Sequence, residues 1–224
     1  MVSIGDAITY PMESDDWITT ILIGGVLLFL SVVIVPIFLV FGYQIRVIRA
    51  LLDGEREPPT FDEWGELFAD GLKAFVVYLI YGLVPLIVFA VTVGGAILAA
   101  ATGGEEGVAA AVAGVLGGIL ISSVLFLVFG YFAAVGLVNF ARHDSFGAAF
   151  DVGTIIEIGT TGEFLIAYLI AVLVGIGFGI VAGIPILGLF VAFYAQIVTA
   201  YIWTEGYGDA AGISPGATAS ETTV

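Results

Sequence analysis

Cysteine is absent from the 224 residues, so disulfide frameworks, thiolate metal sites and a cysteine lipid anchor are excluded. Histidine occurs once, at His143, and leaves no two-histidine metal site. Bases are nearly as scarce. Five Lys and Arg stand against 20 Asp and Glu, and Lys73 is the single lysine. No basic stripe exists to release counterions from phosphates, so nucleic acid is not an expected partner. Residues 1–16 carry Asp6, Glu13, Asp15 and Asp16 but no base, so a secretory signal is not expected there. Charged residues of both signs reach only 11%, against about 25% in an ordinary soluble domain.

What is present is apolar: residues of the AVILMFWYC set make up 60% of the chain. A soluble protein of this size could not hide so much apolar surface behind so few charges. Lipid is therefore the expected solvent and the cell membrane the expected location. The acid excess in nearly lysine-free loops suits a surface kept hydrated in high salt.

Uncharged runs cover 18–45, 74–104, 107–141 and 164–204. About 20 apolar residues cross a hydrocarbon core of about 30 Å. The first three runs are long enough for one tilted span each. The fourth makes two, with Gly183, Ile184 and Pro185 as the turn. The expected fold is an all-α polytopic bundle of five spans, at 18–41, 74–101, 108–138, 164–182 and 185–203, because lipid cannot satisfy free backbone amides. Arg46, Arg49, Arg56 and Lys73 lie between spans one and two, and Arg142 between three and four. The positive-inside rule then makes 42–73 and 139–163 cytoplasmic, the N-terminus external and the C-terminus internal. Residues 1–205 read as one membrane domain, and 206–224, small and polar, as a disordered cytoplasmic tail.

An internal repeat offers an alternative count. Phe38 to Tyr43 recurs unchanged as Phe126 to Tyr131, and Tyr78-Leu79-Ile80 recurs as Tyr168-Leu169-Ile170 at a nearly equal offset. Pseudo-repeats over 18–101 and 108–182 follow, with a partial third at 185–203 around Leu189–Tyr194. If every unit is a helical hairpin, 18–50 is one too, bent near Pro36. Six segments then form three hairpins, the first pair short and re-entrant, with both termini inside.

The segment 58–73 is the most informative polar stretch. Pro58-Pro59 ends whatever precedes it, and Thr60 with Glu63 reads as a capping box. Trp64, Leu67, Phe68, Leu72 and Phe75 then fall at helical spacing, as in a short interfacial helix. Trp64, Leu67 and Phe68 make a candidate docking face for a protein partner. The alternative is a structural plug that seals the bundle. Arg46 and Arg49, three residues apart, are candidate contacts for anionic lipid headgroups, or else topology anchors.

The spans hold no Asp, Glu, Lys, Arg or His, which argues against a proton- or ion-coupled transporter. Their polar groups, among them Thr92, Ser122, Ser123 and Asn139, leave room for a passive pore or a site for an apolar solute. Gly175, Gly179 and Gly183 repeat every fourth residue, and Gly114 with Gly118 forms a second such pair, so both rows are expected helix-packing faces. The Gly-x-Gly strings follow no strand and precede no Lys-Ser/Thr, so they are not nucleotide loops. No nucleophile, base and orienter set and no metal-ligand spacing is present. No enzymatic activity, cofactor or metal is expected.

Several strings in one order carry a resemblance: Tyr10-Pro11, Asp15-Asp16-Trp17, Ile23-Gly24-Gly25, Gly42-Tyr43 with Arg46 and Arg49, then Pro58-Pro59-x-Phe61-Asp62-x-Trp64-Gly65 and Asp70-Gly71-Leu72-Lys73. That order resembles domain-of-unknown-function family 4013, common among halophilic archaea, over about residues 4–205. The resemblance implies an integral membrane protein with no assigned activity and no catalytic residue. The layout is more loosely similar to membrane domains attached to some glycerophosphodiesterases, without their catalytic part. Family relatives often carry bases in the N-terminal stretch, which this chain lacks. Two functions follow as expectations: a non-catalytic scaffold or accessory subunit, or a carrier or channel for a small uncharged or amphiphilic solute.

Overall fold

The computed structural model describes residues 3–213, and they are helical with no strand among them. Eight α-helices follow one another: α1 Ile4–Thr9, α2 Trp17–Leu30, α3 Val35–Leu52, α4 Trp64–Thr102, α5 Gly104–His143, α6 Val152–Gly159, α7 Gly162–Ala182 and α8 Leu187–Ala211. Five of them (α3, α4, α5, α7 and α8) are long and apolar enough to cross a membrane, and the bent pair Ile4–Met12 with Trp17–Val33 raises the number to six.

The first span differs from the favoured reading. Residues 18–41 are not one helix, because the chain breaks at Ile34 and α3 starts afresh at Val35 with Pro36 in its first turn. Proline suits that place, since its missing N–H is an orphan there anyway. Helices α2 and α3 pack on each other as a hairpin. Tyr10 of the N-terminal segment packs against Tyr201 of α8, with ring centroids 5.2 Å apart. It also lines one cavity with Leu51 and Arg56. The N-terminal segment thus lies at the same end as the 51–56 loop. This agrees with the three-hairpin alternative.

The chain divides into two compact units, residues 76–133 and the remainder. The smaller unit is the hairpin formed by α4 from residue 76 onward and α5 up to residue 133. Its turn is tight because Gly104 adopts φ +58, a left-handed conformation that glycine takes without a Cβ clash. Pro85 stays inside α4 without ending it. A Cβ on Gly114 would meet Ala96, and one on Gly118 would meet Thr92, so the two helices approach closely along this row.

The larger unit holds the other helices and the core, in which Tyr43, Val47, Ile48, Phe140, Phe164, Phe193, Ile202 and Tyr207 are almost fully buried. Its close crossings use glycines other than the expected row. A Cβ on Gly71 of α4 would collide with the Phe38 carbonyl, and one on Gly42 of α3 with the Leu67 carbonyl. Gly24 and Gly25 of α2 lie under Phe193 and Phe190 of α8. Gly175 and Gly179, by contrast, face open space, and Gly183 lies just beyond the last turn of α7 near the Ile180 carbonyl. That row therefore makes no close approach to another helix among the described residues. The expected tail at 206 is corrected. Helix α8 runs to Ala211, with Gly206, Tyr207 and Gly208 buried. The remainder of that tail, 214–224, lies outside the described residues.

A charged platform at the polar end

Helix α4 begins ten residues before the apolar run, so 64–73 is its first turns rather than a separate interfacial helix. The capping box does not form. Glu63 takes φ 46 and its backbone carbonyl accepts from Glu66 and Leu67, while the Thr60 hydroxyl donates to Asp62. What fixes this entry is Arg46, which pairs with the Asp62 carboxylate and donates to the carbonyls of Asp62 at 3.0 Å and Thr60 at 3.3 Å. Its Nη2 reaches Glu63 at 3.4 Å. Phe61 stacks on Tyr43 at 4.3 Å, and the Tyr43 hydroxyl donates to the Pro59 carbonyl at 2.8 Å. The loop is therefore clamped to α3 by a cation on one side and an aromatic stack on the other.

One turn further on, Arg49 pairs with Asp70 of α4 through Nη1 and with Asp144, after α5, through Nη2 at 2.7 Å. Lys73 joins Asp70 at 3.0 Å. Both cations sit 5.8 Å from the centre of the Phe140 ring, close enough for its face to attract them. Asp144 delivers its carboxylate from a left-handed conformation, φ 47, which aspartate tolerates better than most residues. Burial raises the Asp70 carboxyl, but hydrogen bonds and charge from Arg49 and Lys73 outweigh it and hold it below its ordinary value of 3.8. Asn139 anchors the neighbouring turn: it accepts from the Tyr207 hydroxyl and donates to the Ala148 carbonyl, both at 2.8 Å.

This network lines a cavity of about 670 Å³. Seven charged side chains border it: Arg49, Lys73 and Arg142 against Asp53, Glu66, Asp70 and Asp144. Three of the chain's five bases thus converge on one concavity.

The expected docking face divides in two. Leu67 is buried at 1% exposure, together with Ala74, on the face where Gly71 meets α3. Trp64 and Phe68 remain exposed at 47% and 37%, with Trp64 stacked on Phe61 and Phe68 edge-on to Phe38. Leu67 is therefore a core residue, because helical spacing alone cannot tell adjacent stripes apart. Arg46 and Arg49 do stand side by side as expected, yet their guanidiniums hold carboxylates of the chain. A headgroup phosphate would have to displace those carboxylates, which corrects their reading as free lipid contacts. Asp70, Asp144 and the Gly42–Gly71 crossing were missed. The only local signal was the Asp70/Lys73 spacing of three on a helix.

Among the described residues, no group of three His, Asp or Glu side chains is placed to hold a metal ion.

A helical chain with five or six apolar segments of spanning length and a charged platform formed by its bases has the make-up of a polytopic integral membrane protein. It belongs to the family described as "Protein of unknown function (DUF4013)", whose profile matches residues 26–204. Comparison with curated proteins found no match, and comparison with solved structures found none either.

Proposed function

We propose that the protein is a non-catalytic scaffold or accessory subunit of the cell membrane that receives a protein partner on its cytoplasmic end. The observation that carries this reading is the platform itself. Ion pairs from Arg46 and Arg49 lock the 58–73 segment and the post-α5 loop into one surface, with Trp64 and Phe68 exposed beside it. Exposed aromatic anchors on a rigid support are what a binding hot spot needs. The bases gathered there support a cytoplasmic side for this end, by the positive-inside rule. The apolar runs 18–45, 74–104, 107–141 and 164–204 hold no Asp, Glu, Lys, Arg or His, which supports a scaffold over an ion-coupled carrier.

Trp64→Ala combined with Phe68→Ala abolishes co-purification of the partner from membranes and leaves the protein folded. Purified protein in liposomes shows no solute uptake that depends on a sodium or proton gradient. Gradient-driven accumulation of any solute would overturn the reading in favour of the carrier.

A further inference from the structure

A second cavity, of about 380 Å³, lies apart from the platform, between the N-terminal segment, the end of α3 and the last turns of α8. Its charged wall is one-sided among the described residues: Asp6, Glu13, Glu55 and Glu205 against Arg56. Tyr10 and Tyr201 supply its apolar wall, their rings tilted by 48° to each other. The segment that carries Tyr10 is fixed, because the Tyr194 hydroxyl donates to the Ile8 carbonyl and Ala7 is packed in the core against Ala167, Val198 and Ile202.

Tyr10 is 1% exposed, and its hydroxyl is buried with no hydrogen-bond partner among the described residues. A buried unpaired hydroxyl costs free energy, so one that persists beside a cavity points to a partner supplied from outside the chain. Burial, then Glu55 and Glu13, push the Tyr10 phenol well above its ordinary range, so it stays a neutral hydroxyl under negative potential.

We propose that this cavity binds a small organic ammonium ion: its charge faces the four carboxylates, its alkyl flank lies against the tyrosine rings, and an N–H donates to the Tyr10 oxygen. A metal ion suits the site less well, since no three of these carboxylates converge on one point. Carboxylates spread around a roomy aromatic cavity match a cation whose charge is carried on an alkyl frame. Arg56 makes no ion pair among the described residues and sits in the same wall, so it opposes the ligand by like charge.

The test is calorimetric titration of the purified full chain with putrescine and, separately, with tetramethylammonium, at constant ionic strength set by potassium chloride. Wild type binds both saturably. Tyr10→Phe keeps the ring and removes the hydroxyl. It weakens putrescine by about fivefold, the weight of one hydrogen bond, and leaves tetramethylammonium unchanged because that ion has no N–H. Glu13→Gln weakens both by about tenfold, as expected for a charged partner, and Arg56→Ala tightens both. Thermal melting of each variant checks that it is folded.

Nanodiscs identify the source of the amine. Competition between an ethanolamine-headgroup lipid and putrescine assigns the site to a lipid amine, and undiminished putrescine binding assigns it to a free one. No saturable binding of either amine overturns the proposal. So does equal binding by all variants, or binding of magnesium or calcium alone.

Discussion

Ile34 and Ile186 hold the same rare backbone conformation, φ 68 with ψ −51 and φ 67 with ψ −60. Each stands at the break that starts a long helix, α3 in one case and α8 in the other. Across Ile186 the Leu187 N–H donates to the Pro185 carbonyl at 2.8 Å, a tight three-residue turn that is strained for any residue but glycine. A β-branched side chain makes positive φ still less favourable. A proline stands beside each turn, Pro36 two residues after Ile34 and Pro185 immediately before Ile186. Pro36 and Pro185 cannot continue a preceding helix, and the chain reverses within one residue of space.

That strain is removable. Ile34→Gly and Ile186→Gly should each raise thermal stability in detergent, by about 1 kcal/mol if the left-handed penalty is relieved. Both side chains are exposed, at 62% and 69%, so little packing is lost. Ile34→Ala keeps the Cβ and should bring no gain. A fall in melting temperature for both glycine variants would show that these turns are not strained.

Glycine substitutions separate the crossings that matter from those that do not. Gly71→Ala places a methyl against the Phe38 carbonyl and should destabilise by 3 kcal/mol or more, roughly the upper end of overpacking. Gly179→Leu meets open space and should leave melting within about 0.5 kcal/mol of wild type, as surface changes do. Reversal of this order would mean that the α7 row is packed by a second copy or a partner.

The contrast shows what the sequence could reveal. Runs of apolar residues announce helices of spanning length directly, and the proline at 36 announces a break near its observed place. The face on which a glycine packs depends on which helix crosses it, and nothing local encodes that. Arg49 and Asp144 likewise meet across 95 residues of chain. Their pairing is a consequence of how the hairpins assemble. The sequence therefore showed a polar platform rich in charge without showing which carboxylate each arginine holds.

The Arg49 network should leave an acid signature. Asp70 has its carboxyl held below 3.8 in the folded protein, so its stabilising contribution is fully present above that value. The contribution is lost as pH falls through the lower folded value. Asp70→Asn should destabilise at pH 7 by about 1–3 kcal/mol, since Arg49 and Lys73 lose a shared charged partner. The gap between wild type and variant should close in acid. Chemical denaturation at pH 7 and at successively lower pH measures this, and a gap independent of pH would rule out the ionised Asp70 as the stabilising partner.

The last prediction concerns how the first hairpin meets the membrane. From Val35 to Ile45 the apolar part of α3 reaches roughly 16 Å at 1.5 Å per residue, about half of a hydrocarbon core. A hairpin embedded by that stretch alone should end inside the bilayer, with the N-terminal segment returned to the side of the 51–56 loop. The absence of cysteine makes this simple to probe with single replacements and a membrane-impermeant thiol reagent on intact cells. Asp15→Cys, Glu57→Cys and Glu157→Cys, all at exposed positions, should stay unlabelled until the cells are opened. Val32→Cys, whose native side chain is 91% exposed in the chain, should remain unlabelled from either side until the protein is solubilised, because lipid surrounds it. Glu105→Cys, in the first turn of α5 at the base-free end of that hairpin, should label from outside. Labelling of Asp15→Cys from outside would restore an external N-terminus and a full first crossing. Labelling of Val32→Cys from outside, with Asp15→Cys still protected, would instead make the first hairpin two complete spans.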